Sequence, residues 1–230
     1  CNSCILSSDY SQIELRLFAS LAGADNLIDA FIHGADIHAK TASDIFGIPI
    51  EMVDKDMRRT AKAVNFGIHY GISSLGLSED LGIDILSAKS FIDTYLDTYP
   101  RIRQYMQEVI ETAKEKGYVK TIMNRKRIID ELNNKNYMIR QQGERIALNT
   151  PVQGSSADIL KKAMIEIYQE LKEKNLKSKM LIQVHDELVF NVLNEELDTV
   201  KEIVERVMEN TYQLNVPLKV DIETFFNIII

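Results

Sequence analysis

The run of apolar and polar positions predicts strands near both ends of the chain and a long helical excursion between them. Cys4 to Asp9 reads as a short strand, after which Ser11-x-x-Glu14 opens a helix in capping-box form. Helical patterns follow at 25–33, 37–46 and 54–70, with Gly47 and Pro49 marking a break. Two more, 86–98 and 100–116, meet at Pro100; the second gathers Ile102, Tyr105, Met106, Val109, Ile110 and Ala113 on one face and stops at Gly117. Residues 118–130 read as a hairpin turning at Asn124-Arg125-Lys126, and a helix at 137–149 is expected to end at Pro151. Ile159, Leu160, Ala163, Met164, Ile167 and Leu171 stripe the next helix. Residues 180–184 and 188–192 then form a hairpin with His185, Asp186 and Glu187 at its bend, and a helix at 196–212 and a strand at 218–222 follow. There is no internal repeat and no low-complexity linker.

This order implies an α+β fold, an antiparallel sheet that is left for a large, mainly helical subdomain and then rejoined. An all-helical protein with incidental hairpins would leave the two Asp-bearing strands without a purpose. At 230 residues and 45% hydrophobic content the chain can bury a substantial core. No apolar run is long enough to cross a bilayer and no basic-then-apolar leader is present, so the expected setting is cytoplasm, as in a bacterial nucleoid, or an organelle matrix, with no membrane partner. Cys1 and Cys4 form a C-x-x-C without a second Cys or His pair at zinc spacing and read as reduced thiols.

A net charge of −7 argues at first against nucleic acid, but its distribution changes that reading. Residues 1–54 hold 2 basic and 8 acidic side chains, 55–179 hold 22 and 16, and 180–230 hold 3 and 10. The positive middle suits a phosphate backbone, although a charged helical surface accounts for the same lysines. The acidic ends hold Asp9 and Asp186, each following a short apolar run. Brought together by the fold, the two carboxylates make an oxygen-only site for paired divalent ions, with a main-chain carbonyl such as that of Tyr10 completing it. Singly, Asp9 also suits a helix cap and Asp186 a turn.

Between them Arg58, Lys62, Phe66 and Tyr70 recur every four residues. On a helix such positions drift only about 40° per step, so two cations and two aromatics share one stripe suited to a triphosphate and a base. Solvated cations and core aromatics are the plainer alternatives. Glu14 suits a capping box or a place against the sugar, where a ribose 2′-hydroxyl would meet a steric and polar penalty. His38 and Gln153 are candidate phosphate and minor-groove contacts.

Three segments go further. Residues 9–16 (DYSQIELR), 58–71 (RRTAKAVNFGIHYG) and 183–187 (QVHDE) closely resemble motifs A, B and C of family A DNA polymerases, and 151–158 (PVQGSSAD) resembles another stretch of that family. The resemblance covers nearly the whole chain. It implies that Asp9 and Asp186 bind metal, two Mg2+ ions for which Mn2+ can substitute, with Glu187 as a supporting acid and Lys62 acting on the triphosphate. It makes Glu14 the gate against ribonucleotides and Arg58, Lys62 and His38 triphosphate contacts, with Gln12 also in the nucleotide set. Phe66 falls at the sugar and Tyr70 at the templating base. Arg145, Asn149, Gln153 and His185 line the primer-template duplex. The implied division is palm at 1–15 and 155–230 and fingers at 16–154.

The implied activity is template-directed DNA synthesis from dNTPs on primer-template DNA. The family's thumb and upstream palm do not fit before Cys1 and are expected from a longer parent chain. The last ten residues depart from the family's usual ending, and the three terminal isoleucines are expected to form an exposed apolar patch. His69 stands where an apolar residue is more usual and is expected to be tolerated. A single-subunit RNA polymerase is disfavoured by Glu14 and Phe66, and the remaining alternative is an incomplete or inactive fragment that only binds nucleic acid.

Overall fold

A computed structural model of the chain describes residues 2–226. Cys1 of the C-x-x-C and the isoleucines at 228–230 lie outside the described residues. The elements run β1 (Ser3–Tyr10), α1 (Ile13–Ala22), α2 (Asp25–Ile32), α3 (Ile37–Phe46), α4 (Lys55–His69), α5 (Ser74–Leu81), α6 (Ile85–Thr98) and α7 (Pro100–Lys116). Then come β2 (Tyr118–Lys120), β3 (Lys126–Ile128), α8 (Tyr137–Glu173), β4 (Lys179–Val184), β5 (Glu187–Leu193), α9 (Leu197–Asn210) and β6 (Val220–Phe225). Short 3-10 turns fall at Ile50–Met52, Asp130–Asn133 and Asn194–Glu196. The chain divides into two compact units, Cys1–Ile13 with Ser156–Ile230, and Glu14–Ser155.

In the first unit an antiparallel sheet has the order β4-β5-β1-β6. Strand β1 alternates: Cys4, Leu6, Ser8 and Tyr10 are buried, while Ile5, Ser7 and Asp9 occupy the opposite face. Helix α9 packs on the sheet and buries Val200, Ile203, Val204, Val207 and Met208. Each such side chain stabilises by about 1.5–3 kcal/mol. The Tyr10 hydroxyl donates to the Met208 carbonyl at 2.7 Å, so the apolar layer also ties the end of β1 to α9. The final strand begins two residues later than the pattern predicts and runs longer, because its pairing with β1, from Tyr10↔Val220 to Ile5↔Phe225, sets its length. Strand β4 is an outer edge carrying Leu181, Ile182 and Val184 in solvent, with a bulge between Met180 and Ile182.

In the second unit the helix starts follow local chemistry. Asp36, Asp54, Ser73 and Asp84 accept main-chain N–H groups at the starts of α3, α4, α5 and α6. Helix α5 is absent from the sequence reading. Its eight residues hold one apolar pair at helical spacing, Leu77 and Leu81, too short a run for the apolar period to announce a helix; the Ser73 cap and the left-handed Gly82 are what delimit it.

The predicted stop at Pro151 is also overturned. Helix α8 runs unbroken from Tyr137 to Glu173, with residues to Ser155 in the second unit and from Ser156 in the first. Proline removes the amide that would bond the Ala147 carbonyl, at a cost of about 3 kcal/mol. Burial of Ala147, Leu148, Pro151 and Val152 offsets it. Around the gap, the Thr150 hydroxyl donates to the Ile146 carbonyl at 2.7 Å and the Ser155 hydroxyl to the Pro151 carbonyl. Ser155 also accepts the Ile122 N–H at 3.0 Å, which fastens the β2–β3 loop to the helix.

Gly154 lets that loop approach. A Cβ there would lie 2.6 Å from Thr121 Cγ2. Gly154→Ala is expected to lower unfolding free energy in urea by about 1–3 kcal/mol. Thr121→Ser, which deletes the methyl and keeps the oxygen that accepts Arg125 N–H, should restore most of the loss. A double variant as unstable as the single one would show that this contact is not the cause.

Candidate functional site

The first unit assembles its acids by strand register. Asp9 pairs across to Glu187 on β5 and to Asp221 on β6, so three carboxylates stand in a row on one face of adjacent strands. Asp186 sits in the two-residue turn between β4 and β5, and its carbonyl accepts the Tyr10 N–H at 3.4 Å. The Asp9 carboxyl is pushed up to about 6, first by burial, then by the charges of Asp186, Glu187 and Asp221, against a smaller opposing bond from the Tyr10 amide. The Ser7 hydroxyl donates to Glu187.

Two side chains beside this cluster hold backbone conformations that glycine ordinarily takes. Gln12 has φ 54° and His185 φ 53°. Gln183 Nε2 donates to the His185 carbonyl at 2.6 Å and holds the turn; His185 itself is exposed. The buried Oε1 of Gln12 has no hydrogen-bond partner. Among the described residues no three carboxylate, imidazole or thiol groups close a metal site by themselves. The donor set is nevertheless all oxygen, and a hard divalent cation would relieve the crowding of like charge that raises Asp9, so the residues present fit one.

In the second unit the stripe of four is modified at its end. Helix α4 stops at His69, and Tyr70 lies just past it with φ −84° and ψ 1°. Arg58 Nε bonds Asp36 Oδ2 at 2.7 Å, so the cap of α3 also holds the first cation of the stripe. Lys62 Nζ lies 5.9 Å from the Phe66 ring centre, and the His38 and Phe66 rings are 5.9 Å apart. His38 is buried and lowered to about 4, mainly by burial and then by Arg58, so its ring is neutral at neutral pH. Asn65 Nδ2 lies 3.2 Å from His38 Nδ1, and the Asn65 amide also bonds Thr41. Accepting that amide hydrogen makes Nε2 the N–H of the His38 ring.

The Tyr70 hydroxyl donates to Glu14, and His69 Nε2 lies 3.6 Å from Glu14 Oε2. Burial raises the Glu14 carboxyl, but the His69 and Tyr70 contacts outweigh it and hold the group below its ordinary value. Glu14 therefore faces these side chains, and Ser11 N–H donates instead to the Lys219 carbonyl at 2.8 Å. The Glu14 side chain therefore does not make the return bond to Ser11 N–H that a capping box expects.

Phe66, Gly67, Tyr70, Ile72 and Arg145 help line a hollow of about 430 Å³. Arg145, Asn149 and Gln153 lie at four-residue intervals on α8; the Arg and Gln are exposed, and the buried Asn149 Oδ1 has no partner. Sequence reasoning missed Asp221, Ser7, Asp36 and Asn65. The one local signal for Asn65 was an amide on the apolar side of α4, and for Asp221 an acid within a period-two run.

The model of DNA polymerase family A matches residues 1–227. The chain belongs to this family. It is 52% identical over 217 residues to DNA polymerase I of Bacillus subtilis (strain 168), covering 94% of this chain and 25% of the relative. DNA polymerase I of Lactococcus lactis subsp. lactis is 51% identical over 224 residues, covering 97% and 26%. The chain thus spans about a quarter of the length of these relatives. A solved structure of the POL domain of Pol1 from M. smegmatis, in complex with DNA primer-template and dNTP, superposes with a TM-score of 0.93 at 40% identity, covering 96% of this chain and 39% of that one. Among the described residues no helix is long and apolar enough to cross a membrane.

The raised Asp9 carboxyl fixes a sign for stability. The folded state binds this proton more tightly than the unfolded chain, so its contribution is present below the unfolded value of 3.8 and is lost as pH rises through about 6. In chelator at about pH 7.5, Asp9→Asn is expected to melt above the parent by on the order of 1–2 °C, allowing for solvent screening. The difference should close near pH 4. Circular-dichroism melts that show no pH-dependent gap would remove the crowding argument.

Proposed function

We propose that this chain supplies the nucleotide-joining core of a template-directed DNA polymerase, with residues 1–13 and 156–230 acting as palm and 14–155 as fingers. The observation that carries the reading is the convergence of Asp186, Glu187 and Asp221 on the raised carboxyl of Asp9. Asp9 and Asp186, with the main-chain carbonyl of Tyr10, would hold divalent cations, Mg2+ by the hardness of the oxygen donors and Mn2+ as a substitute. Such ions activate an attacking oxygen and screen a triphosphate when bound.

The chain's own groups do the rest. A primer 3′-oxygen forms a bond to the α-phosphorus of a dNTP as the bond to the bridging oxygen breaks and pyrophosphate leaves. Arg58 and Lys62 would neutralise the charge on the departing phosphates, and the Nε2–H of His38 would donate to a phosphate oxygen. Asn65 keeps that donor in place by occupying Nδ1. Phe66 would pack on the sugar and Tyr70 on the templating position, where an aromatic face tolerates any base. Glu14, backed by Tyr70, would exclude a 2′-hydroxyl, and Gln12 would offer its unpartnered Oε1 to the nucleotide. Arg145, Asn149 and Gln153 along α8, together with His185, would contact minor-groove acceptors common to correct pairs. Glu187, already engaged by Ser7, would be a supporting acid beside the cations held by Asp9 and Asp186.

In the full polymerase chain that carries these residues, Asp9→Ala or Asp186→Ala should reduce primer extension by a factor of at least about 10³ while leaving primer-template affinity within a few-fold. Turnover close to the parent's in either variant would refute the assignment. Glu14→Ala should raise ribonucleotide incorporation relative to deoxynucleotide; an unchanged sugar preference would remove Glu14 from the gate. For the 230-residue chain alone, binding to primer-template that weakens with salt but yields no extension would place essential grip outside these residues.

A further inference from the structure

The polymerase reading gives no role to the buried imidazole of His69. His69, the last residue of α4, has a fully buried side chain on an otherwise apolar stretch of the helix. Its Nδ1 lies 3.1 Å from the main-chain carbonyl of Asn65. A carbonyl only accepts, so Nδ1 carries a hydrogen. Its Nε2 is sealed from solvent and makes no hydrogen bond of ordinary length. The acidic oxygen within reach is Glu14 Oε2, at 3.6 Å, the same oxygen that takes the Tyr70 hydroxyl.

The rings around His69 explain why this approach has consequences. Tyr70, Phe18 and Phe66 lie 4.2, 5.4 and 5.6 Å away, centre to centre. They keep water from the imidazole, so its interaction with a carboxylate is stronger than in solvent and an unmatched edge is costly. With one hydrogen on Nδ1, a second on Nε2 makes the ring an imidazolium, and it is in that form that Nε2 attracts the Glu14 carboxylate. Consecutive residues, one from the helix end and one just past it, therefore converge on a single oxygen of Glu14.

We propose that His69 is a positioning residue for Glu14, the second jaw of a clamp whose first jaw is Tyr70, and that the clamp sets how strongly ribonucleotides are refused. The proposal rests on Glu14 being the sugar gate. A carboxylate held at one oxygen by one flexible donor can pivot and make room for an extra hydroxyl. Held at that oxygen from two sides, it keeps its other oxygen at a fixed place, and the clash with a 2′-hydroxyl is not relieved by a small rotation.

The test is the ratio of kcat/KM for dNTP to that for the matching rNTP, measured in the full polymerase chain. His69→Leu fills similar volume without a donor and should lower the ratio about five- to tenfold, mainly through faster ribonucleotide use. His69→Gln restores a donor and should keep the ratio within about twofold of the parent. A Leu variant with the parental ratio, or a Gln variant as permissive as Leu, would overturn the clamp. Glu14→Ala separates the two levels. If it opens the site while His69→Leu does not, the clamp alone falls; if it changes nothing, the gate falls and the clamp with it. Should the Leu variant not fold, ring 15N spectra of the parent decide. An Nε2 resonance that moves on Glu14→Gln is expected; an Nε2 indifferent to that change would end the proposal.

Discussion

Repulsion between carboxylates on neighbouring strands is the constraint on which this molecule turns. Antiparallel register sets Asp9 between Glu187 and Asp221, and the tight turn of β4 into β5 adds Asp186. A protein selected only for stability would separate these charges. Here the opposite face of β1, with Leu6 and Tyr10 sealed by α9, holds them together, because sliding the strand by one residue would turn its whole apolar set to water. The hydrophobic layer thus does electrostatic work, holding in place a concentration of negative charge that a bound cation relieves.

The helical unit solves a different problem, that of orienting polar groups along α4, Arg58 at the surface and Asn65 in the interior. Arg58 is held by the same aspartate that caps α3, and the His38 ring is held by Asn65 of α4, whose amide is itself bonded to Thr41 of α3. Such coupling means that the polar stripe of α4 is not a set of independent side chains. Its orientation is inherited from α3, which packs along it. The neutral state of His38 follows from that burial, with the Arg58 charge adding to it.

Much of this was legible in the sequence, and the misses share a cause. The strand bearing Asp9, the turn at His185 and Asp186 and most helix ends carry local signals, namely alternation, caps and glycines in left-handed conformation. Pro151 misled because a local rule was overruled by packing: burial of Leu148 and Val152 outweighs one lost amide bond. Helix α5 was missed because eight residues with a single i, i+4 leucine pair, Leu77 and Leu81, are too few to show a period. Asp221 and Asn65 were invisible for another reason. Their significance comes from partners more than twenty residues away, Asp9 in one case and His38 in the other, and no spacing rule encodes such a meeting.

The outer strand of the sheet has a practical consequence for handling these residues. In the order β4-β5-β1-β6, β4 has one neighbour among the described residues, while Leu181, Ile182 and Val184 stand in water. Its free amides and carbonyls offer an adhesive rim to any extended peptide, and the bulge after Met180 blunts it over only part of its length. Lys179–Val184 itself carries no acidic side chain, so the like charge that crowds the middle of the sheet gives this margin no guard of its own.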